Sequence, residues 1–443
     1  MSSAKLDFES LIAPISPQEF FAHYWETQPL VVSRGEPLHY ASLMSFADLD
    51  DLVADACRLQ NSSVELLGDA SITGTPYAAR VERASDVQEA YGRGATVRIN
   101  NVQQLSKPLG TLCHRLEQVF SFPLRANLYS TPATAQGAQR HYDNHDILVL
   151  QISGRKRWLI SEPLVALPLE HVPPLSFERR TEELKYRRGG PTRGRGDIGD
   201  DVARTPLRDI VLEAGDLLYL PRGFVHEAKT STEASLHVTL GIHVLTWLDL
   251  LSVALGQMSN RDERFRRALP VGFANESGAE RDCREQFETL LQAFAQHADL
   301  KNAFDETAAS FIRSREPRTY DPTAATDNDL TAKTGDATLA QDASNVADNA
   351  GSMEDVARSI NLDTMLERTP GLLCRVVLEG SMAGLASAQG ILWMPATFAD
   401  ALRFVARTIE FRVSEIPGVS DSGKLALVRR LLHDGFLRVA REA

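Results

Sequence analysis

The stretch RHYDNHDILVLQISGRKRWLI, residues 140–160, decides the fold class. Ile147 to Ile152 is a short continuous apolar run, Ser153-Gly154 carries the signal of a hairpin turn, and Arg157 to Ile160 is a second β-type run. Runs of the same kind surround it from about Ala95 to His243. Ala126-Asn127-Leu128-Tyr129 lies upstream, and Leu217 to Leu220 and Leu236 to Val244 lie downstream. No helical segment alternates regularly with these runs, so a parallel α/β sheet is disfavoured and an antiparallel barrel or sandwich is expected.

The same stretch carries the candidate chemistry. Side chains two apart on a strand project from one face, so His141 and Asp143 are expected to point together into a barrel interior. A third donor is expected from a distant strand. The segment Gly215-Asp216-Leu217-Leu218-Tyr219-Leu220-Pro221-Arg222-Gly223-Phe224-Val225-His226 offers it, because a Gly-Asp turn, an apolar strand and Pro-Arg-Gly present His226 at the start of the next strand. Two imidazoles and a carboxylate without thiolate suit Fe(II) with open coordination positions, whereas structural zinc closes its sphere with four Cys or His ligands. His145 shares the face of His141 and Asp143, so a set using Asp143 and His145 is the alternative.

Open positions on Fe(II) suit a chelating 2-oxoglutarate and dioxygen. The distal carboxylate of 2-oxoglutarate then needs a fixed cation or hydroxyl to offset its burial. Lys156 is the candidate: it follows the turn and shares its strand with Trp158, and an inward lysine there is expensive without an anion. The alternative is a Lys156 as exposed as its neighbours Arg155 and Arg157.

Outward from this centre the pattern changes. Ser16-Pro17-Gln18-Glu19 reads as a helix start, with Ser16 as cap and Glu19 completing a capping box, followed by Phe20, Phe21, Tyr24 and Trp25 on a core-facing side. Glu178 to Asp201 is rich in Arg and Gly, including Arg179, Arg180, Lys185 and Arg187, and is expected to be a long surface loop. From Trp247 to about Phe311 apolar residues return to helical spacing, as in Phe287, Leu290, Leu291 and Phe294. Arg318 to Glu354 has almost no large apolar residue and reads as a flexible linker. Leu372 to Leu378 and Gly390 to Met394 then read as strands, and Phe398 to Val405 and Lys424 to Leu432 as helices, making a small closing α/β domain. Ser422-Gly423-Lys424 lacks the upstream glycine spacing of a phosphate loop.

With 443 residues, more than one folded unit is expected. The chain is 43% hydrophobic and 24% charged, and no apolar run approaches the roughly 18 to 20 residues of a membrane span. Met1 to Ser10 lacks the basic start and apolar middle of a signal peptide, so a cytoplasmic location is expected. Cys57, Cys113, Cys283 and Cys374 form no CxxC pair and are expected to be reduced, mostly buried thiols. A net charge of −12 disfavours general nucleic-acid binding and suits a basic protein or peptide partner.

These residues resemble the JmjC-type ribosomal oxygenases, a cupin-like branch of Fe(II)/2-oxoglutarate enzymes. The likeness rests on His23-Tyr24-Trp25-Glu26 with Pro29-Leu30-Val31-Val32, on Asn127-Leu128-Tyr129, on His141-Tyr142-Asp143, on Gln151 through Gly154-Arg155-Lys156-Arg157-Trp158, and on Gly215 to His226, in order and at similar spacing. The resemblance implies a mainly β plus α chain. A double-stranded β-helix core would span 1–245, a helical dimerisation region 246–317 and a winged-helix-like domain 356–443, with the linker that composition marks lying between the last two at 318–355. It implies iron on His141, Asp143 and His226, Lys156 on the distal carboxylate, and Asn127 and Tyr129 lining the cosubstrate pocket, with Thr239 facing it too. It also implies hydroxylation of a histidine or arginine of a ribosomal protein by a homodimer. Arg429 and Arg430 are offset by nearby acids, so the closing domain is expected to have a structural or partner-docking role rather than to bind DNA. A peptide-tailoring oxygenase, a non-catalytic cupin-like scaffold and demethylation of an N-methyl group are the alternatives. The Arg-Gly loop and the linker depart from the family pattern.

Overall fold

A computed structural model describes residues 6–59, 62–68, 79–137, 140–163, 165–169, 208–273, 275, 279–315, 360–369 and 371–440. The Arg-Gly stretch Glu178 to Asp201 and the linker Arg318 to Glu354 lie outside these residues. The chain divides into two compact units, residues 1–244 and 245–443.

The first unit is built on two antiparallel sheets. Its strands are β1 (Leu30–Val32), β2 (Ser63–Leu67), β3 (Ala79–Val81), β4 (Thr96–Asn100), β5 (Leu124–Thr131), β6 (Asp146–Ser153), β7 (Lys156–Pro163), β8 (Arg208–Leu212), β9 (Leu217–Leu220), β10 (Phe224–Lys229) and β11 (Ser235–Ile242). The larger sheet runs β1-β9-β6-β11-β5-β4-β2-β3 and the smaller β10-β7-β8. The antiparallel expectation holds, and every pairing in these two sheets is antiparallel.

The apolar run of β6 is continuous because both its faces are covered. Leu148, Leu150 and Ile152 join a core with Phe8, Leu11, Phe20, Leu109, Leu112 and Leu116, whereas Ile147 and Val149 pack with Trp158, Ile160 and Leu218 on the side of the small sheet. The helices on the outer face are α1 (Phe8–Ile12), α2 (Pro17–His23), α3 (Leu49–Arg58), α4 (Ala84–Gly92) and α5 (Lys107–Phe120). Ser16 caps α2 by accepting the Glu19 amide at 3.2 Å, one half of the anticipated capping box.

Two expectations need correction. The fourteen-residue helix α5 interrupts the region read as β from Ala95. Its signals are present in Ser106, which caps it, in Pro108 in its first turn, and in the apolar face Leu109, Leu112, Leu116 and Phe120. Each of those buried leucines contributes roughly 1.5–3 kcal/mol, which is what holds the helix to the sheet. Ser153-Gly154 is also not a hairpin turn. β6 pairs with β9 and β11, while β7 pairs with β10 and β8, so the turn carries the chain from one sheet to the other. Gly154 has φ +67°, and a Cβ there would lie 1.9 Å from the Ala234 carbonyl oxygen, so only glycine fits.

The second unit begins with helices α6 (Trp247–Arg261), α7 (Ala279–His297) and α8 (Leu300–Arg313). Thr246 and Asp249 close a capping box on α6. Trp247, Leu251 and Leu255 on α6, Phe287 and Leu291 on α7, and Phe304 on α8 remain exposed. The closing part holds β12 (Met365–Arg368), β13 (Cys374–Glu379), β14 (Met382–Ser387), β15 (Gly390–Pro395), α9 (Ala399–Arg407), β16 (Glu410–Arg412), α10 (Asp421–His433) and β17 (Leu437–Val439). These make two three-stranded sheets, β16-β12-β17 and β13-β14-β15, around a core that includes Leu366, Leu385, Leu402, Phe411 and Leu431. All four cysteines are free thiols, but only Cys113 is buried and the others are half-buried. Among the described residues no helix is long and apolar enough to cross a membrane.

Candidate metal centre

His141, Asp143 and His226 each offer one ligand atom, and these atoms all lie within 4.8 Å of one another. His141 Nε2 is 3.9 Å from Asp143 Oδ1, and His226 Nε2 is 3.7 Å from Asp143 Oδ2. The carboxylate therefore stands between two imidazoles with an oxygen toward each. Regular strand alternation does not produce this convergence, because β6 begins only at Asp146. A lone β-bridge between His141 and His226 does so, with the His141 amide donating to the His226 carbonyl at 3.0 Å and the His226 amide to the His141 carbonyl at 2.7 Å.

His226 is 4% exposed, and burial, with the nearby His141, lowers its pKa to about 4. It is neutral at physiological pH, as a metal-binding imidazole must be. Its Nδ1 is 3.0 Å from the Phe224 carbonyl oxygen, which can only accept. That contact assigns the proton to Nδ1 and leaves the Nε2 lone pair facing Asp143. Burial alone would raise the Asp143 carboxyl, but His145, His141, His226 and Arg98 together hold it below the usual carboxylate range.

His145 is outside the donor group. Its ring stacks on His243 with centroids 4.7 Å apart and lies against Gly241, where a Cβ would come within 2.7 Å of it.

Beside the donors is a cavity whose lining includes Tyr129, Lys156, Trp158, His237 and Thr239 together with His141, Asp143 and His226. Lys156 is 2% exposed, which excludes the surface alternative. Its ammonium donates to Thr131 Oγ1 at 2.8 Å, and Thr96 Oγ1 donates to the same hydroxyl oxygen at 3.0 Å. Among the described residues no carboxylate pairs with it, and burial lowers its pKa from 10.5 to about 7. A buried lysine held by a hydroxyl and without a carboxylate partner is suited to receive an anion.

Tyr129 and Thr239 line this cavity, but Asn127 does not. Asn127 pairs in register with Thr239 on β11, and its Oδ1 accepts the Asn101 amide at 3.2 Å. His237, Trp158 and Thr131 were not assigned to the site from sequence. His237 stacks on Tyr129 at 4.8 Å and meets Trp158 edge-on at 5.6 Å, and its buried Nδ1 has no hydrogen-bond partner among the described residues. Period-two spacing from Tyr129 to Thr131, from Lys156 to Trp158 and from Thr239 back to His237 was the available signal.

Comparison with known proteins agrees with this geometry. Residues 102–250 match the family model described as JmjC domain. Ribosomal oxygenase 1 of Gallus gallus is 32% identical over 329 residues, covering 69% of this chain and 50% of that protein, and its Homo sapiens counterpart is 31% identical over 335 residues, covering 70% and 48%. The chain carries a JmjC domain and is similar to the JmjC-type ribosomal oxygenases.

The chain spans about half the length of the curated relatives it matches. Among solved structures, Escherichia coli ycfD aligns with TM-score 0.52 and 17% identity over 96% of this chain and 99% of that one. YcfD in complex with cobalt and 2-oxoglutarate aligns with TM-score 0.51 and 17% identity over 96% and 98%. These likenesses establish the JmjC, cupin-like fold with mixed α and β content.

Proposed function

We propose that this protein is an Fe(II)- and 2-oxoglutarate-dependent oxygenase that hydroxylates a histidine or arginine of a ribosomal protein. The observation that carries the reading is the pairing, in one cavity, of an open His141–Asp143–His226 donor group with the buried amine of Lys156, which has no carboxylate partner among the described residues. Imidazole and carboxylate donors fit Fe(II), and three of them leave positions for a chelating cosubstrate. When bound, the metal supplies coupling of 2-oxoglutarate decarboxylation by dioxygen to hydroxylation of a substrate C–H bond. His226 keeps its lone pair on Nε2 through the Phe224 carbonyl, and Asp143 supplies the anionic donor. Lys156, held by Thr131, takes the distal carboxylate, Tyr129 and Thr239 line the same space, and Trp158 and Ile147 keep the wall apolar so that water is excluded.

The ribosomal target draws support from relatives named ribosomal oxygenase 1, and from the net charge of −12, which attracts a basic segment. A second reading, N-methyl demethylation, draws support from a relative in Aedes aegypti named bifunctional lysine-specific demethylase and histidyl-hydroxylase, 28% identical and covering 67% of this chain. In the proposed organisation residues 1–245 are catalytic, 246–317 a helical dimerisation region, 318–355 a linker and 356–443 a winged-helix-like domain. The exposed Trp247, Leu251, Leu255 and Phe287 support a homodimer. The proposed location is the cytoplasm.

Anaerobic binding of Fe(II) and 2-oxoglutarate, followed by oxygen-dependent succinate release, tests the reading in wild type and Lys156→Ala. Succinate that forms in wild type and falls in the variant supports it. Absence of both binding and succinate in wild type favours a non-catalytic scaffold.

A further inference from the structure

Asp146 is fully buried and Arg222 is 6% exposed. Arg222 Nη1 donates to Asp146 Oδ2 at 2.8 Å, and the Tyr219 hydroxyl donates to Asp146 Oδ1 at 2.8 Å. The same Nη1 lies 2.6 Å from Glu26 Oε1, and the Glu26 amide donates to the Tyr219 hydroxyl oxygen at 3.0 Å. A buried ion pair is a poor way to stabilise a fold, because desolvation consumes most of its Coulomb gain and apolar side chains of similar volume serve as well. Its position in the chain supplies a better reason for it.

Asp146 opens β6 just after the segment that carries His141 and Asp143, and Arg222 lies in the turn that leads into β10 and His226. The pair therefore joins the two segments that bear the three donors. It has two companions. The amide of Gly223, next to Arg222, donates to the Asp143 carbonyl at 3.0 Å, and the His141–His226 bridge exchanges two backbone hydrogen bonds. Gly223 has φ +92°, and a Cβ there would lie 2.1 Å from the Val165 carbonyl oxygen, so the turn holds one backbone path.

We propose that Arg222 and Asp146 are positioning residues of the metal centre: their ion pair holds the His141–Asp143 segment at a set distance from the His226 strand, and Glu26 ties this brace to the chain that follows α2. The proposal rests on the reading of His141, Asp143 and His226 as metal donors. It separates two quantities that a purely structural role would keep together. Removing both charges at once leaves no fully buried ion, since the Glu26 side chain that loses its partner is 34% exposed to solvent, and costs little stability, but it frees the two segments to move and weakens metal binding.

The test is Co(II) titration of the full chain, followed by its visible absorption, beside thermal unfolding without metal. Arg222→Met combined with Asp146→Asn is expected to unfold close to the wild-type temperature and to bind Co(II) roughly 10–100-fold more weakly, the range for groups that orient metal ligands. Wild-type affinity in a folded double variant would overturn the proposal. Should the double variant not fold, Arg222→Lys decides: it keeps the charge but not the guanidinium reach to both carboxylates, so weakened Co(II) binding supports the brace and unchanged binding overturns it. A wild-type chain that binds no Co(II), with His141→Ala no different from it, would remove the metal reading itself and the brace with it.

Discussion

His141 and His226 are 85 residues apart in the chain and exchange a pair of backbone hydrogen bonds, 3.0 and 2.7 Å long, with their rings 4.4 Å apart. The contact brings two donors from distant parts of the chain to one point, and Asp143 closes the group. Each donor is thus expected to be needed. His141→Ala or His226→Ala should abolish Co(II) binding and metal-dependent succinate release, whereas His145→Ala, whose ring stacks on His243, should retain both. Loss with His145→Ala and retention with His141→Ala would return the metal to the alternative set of Asp143 and His145.

Lys156 gives the cosubstrate site a pH signature. Its folded pKa is lowered to about 7 while the unfolded chain keeps 10.5, so between these values the unfolded state binds one proton more. Stability of the free protein should therefore rise with pH across that window, by up to about 1.4 kcal/mol per pH unit from this one group. Denaturant titrations at pH 7.5 and pH 9, set against Lys156→Met, read this contribution; equal pH dependence in both proteins would refute it.

Anion binding next to Lys156 restores its positive charge. At about pH 8, within the window set by its lowered pKa, 2-oxoglutarate binding should take up close to one proton, seen as a dependence of the calorimetric heat on buffer ionisation enthalpy. Lys156→Met should bind 2-oxoglutarate at least about tenfold more weakly, the loss expected when a charged hydrogen-bonded partner worth roughly 1.5–3 kcal/mol is removed.

Gly154 carries the chain between the two sheets immediately before Lys156. Gly154→Ala places a methyl group 1.9 Å from the Ala234 carbonyl oxygen at φ +67°, so the turn must shift. A loss of about 2 kcal/mol or more is expected in denaturant unfolding, because native backbone and new residue are incompatible. A change under about 0.5 kcal/mol, the range of neutral surface substitutions, would show the turn to be more yielding than its geometry implies.

The apolar face of α6 tests the assembly. Leu251 and Leu255 are 49% and 48% exposed, one turn apart. Light scattering should give a dimer mass for wild type and half of it for Leu251→Glu combined with Leu255→Glu; a monomeric wild type would remove the homodimer from the proposed function.

The residues themselves determined a good part of this protein. The apolar runs of β5, β6, β9 and β11, the capped start of α2, the helical spacing after Trp247 and the HxD followed at a distance by Pro-Arg-Gly and His226 are local or ordered patterns, and each survives in the folded chain. Periodicity also pointed Lys156 inward with Trp158, since charge on an apolar strand face needs a partner.

Tertiary structure alone decided the rest. Strand pairing is non-local, so the passage of Ser153-Gly154 between sheets could not be told from a hairpin by turn chemistry. Asn127 and Tyr129 share one strand face, yet Tyr129 lines the cavity while the Asn127 side chain accepts the Asn101 amide. Likewise, His145 is as near to Asp143 in the chain as His141 is, and only the bridge to His226 chooses between them. Spacing along the chain specifies which face a side chain can occupy; which partner it meets there depends on segments that arrive from elsewhere in the fold.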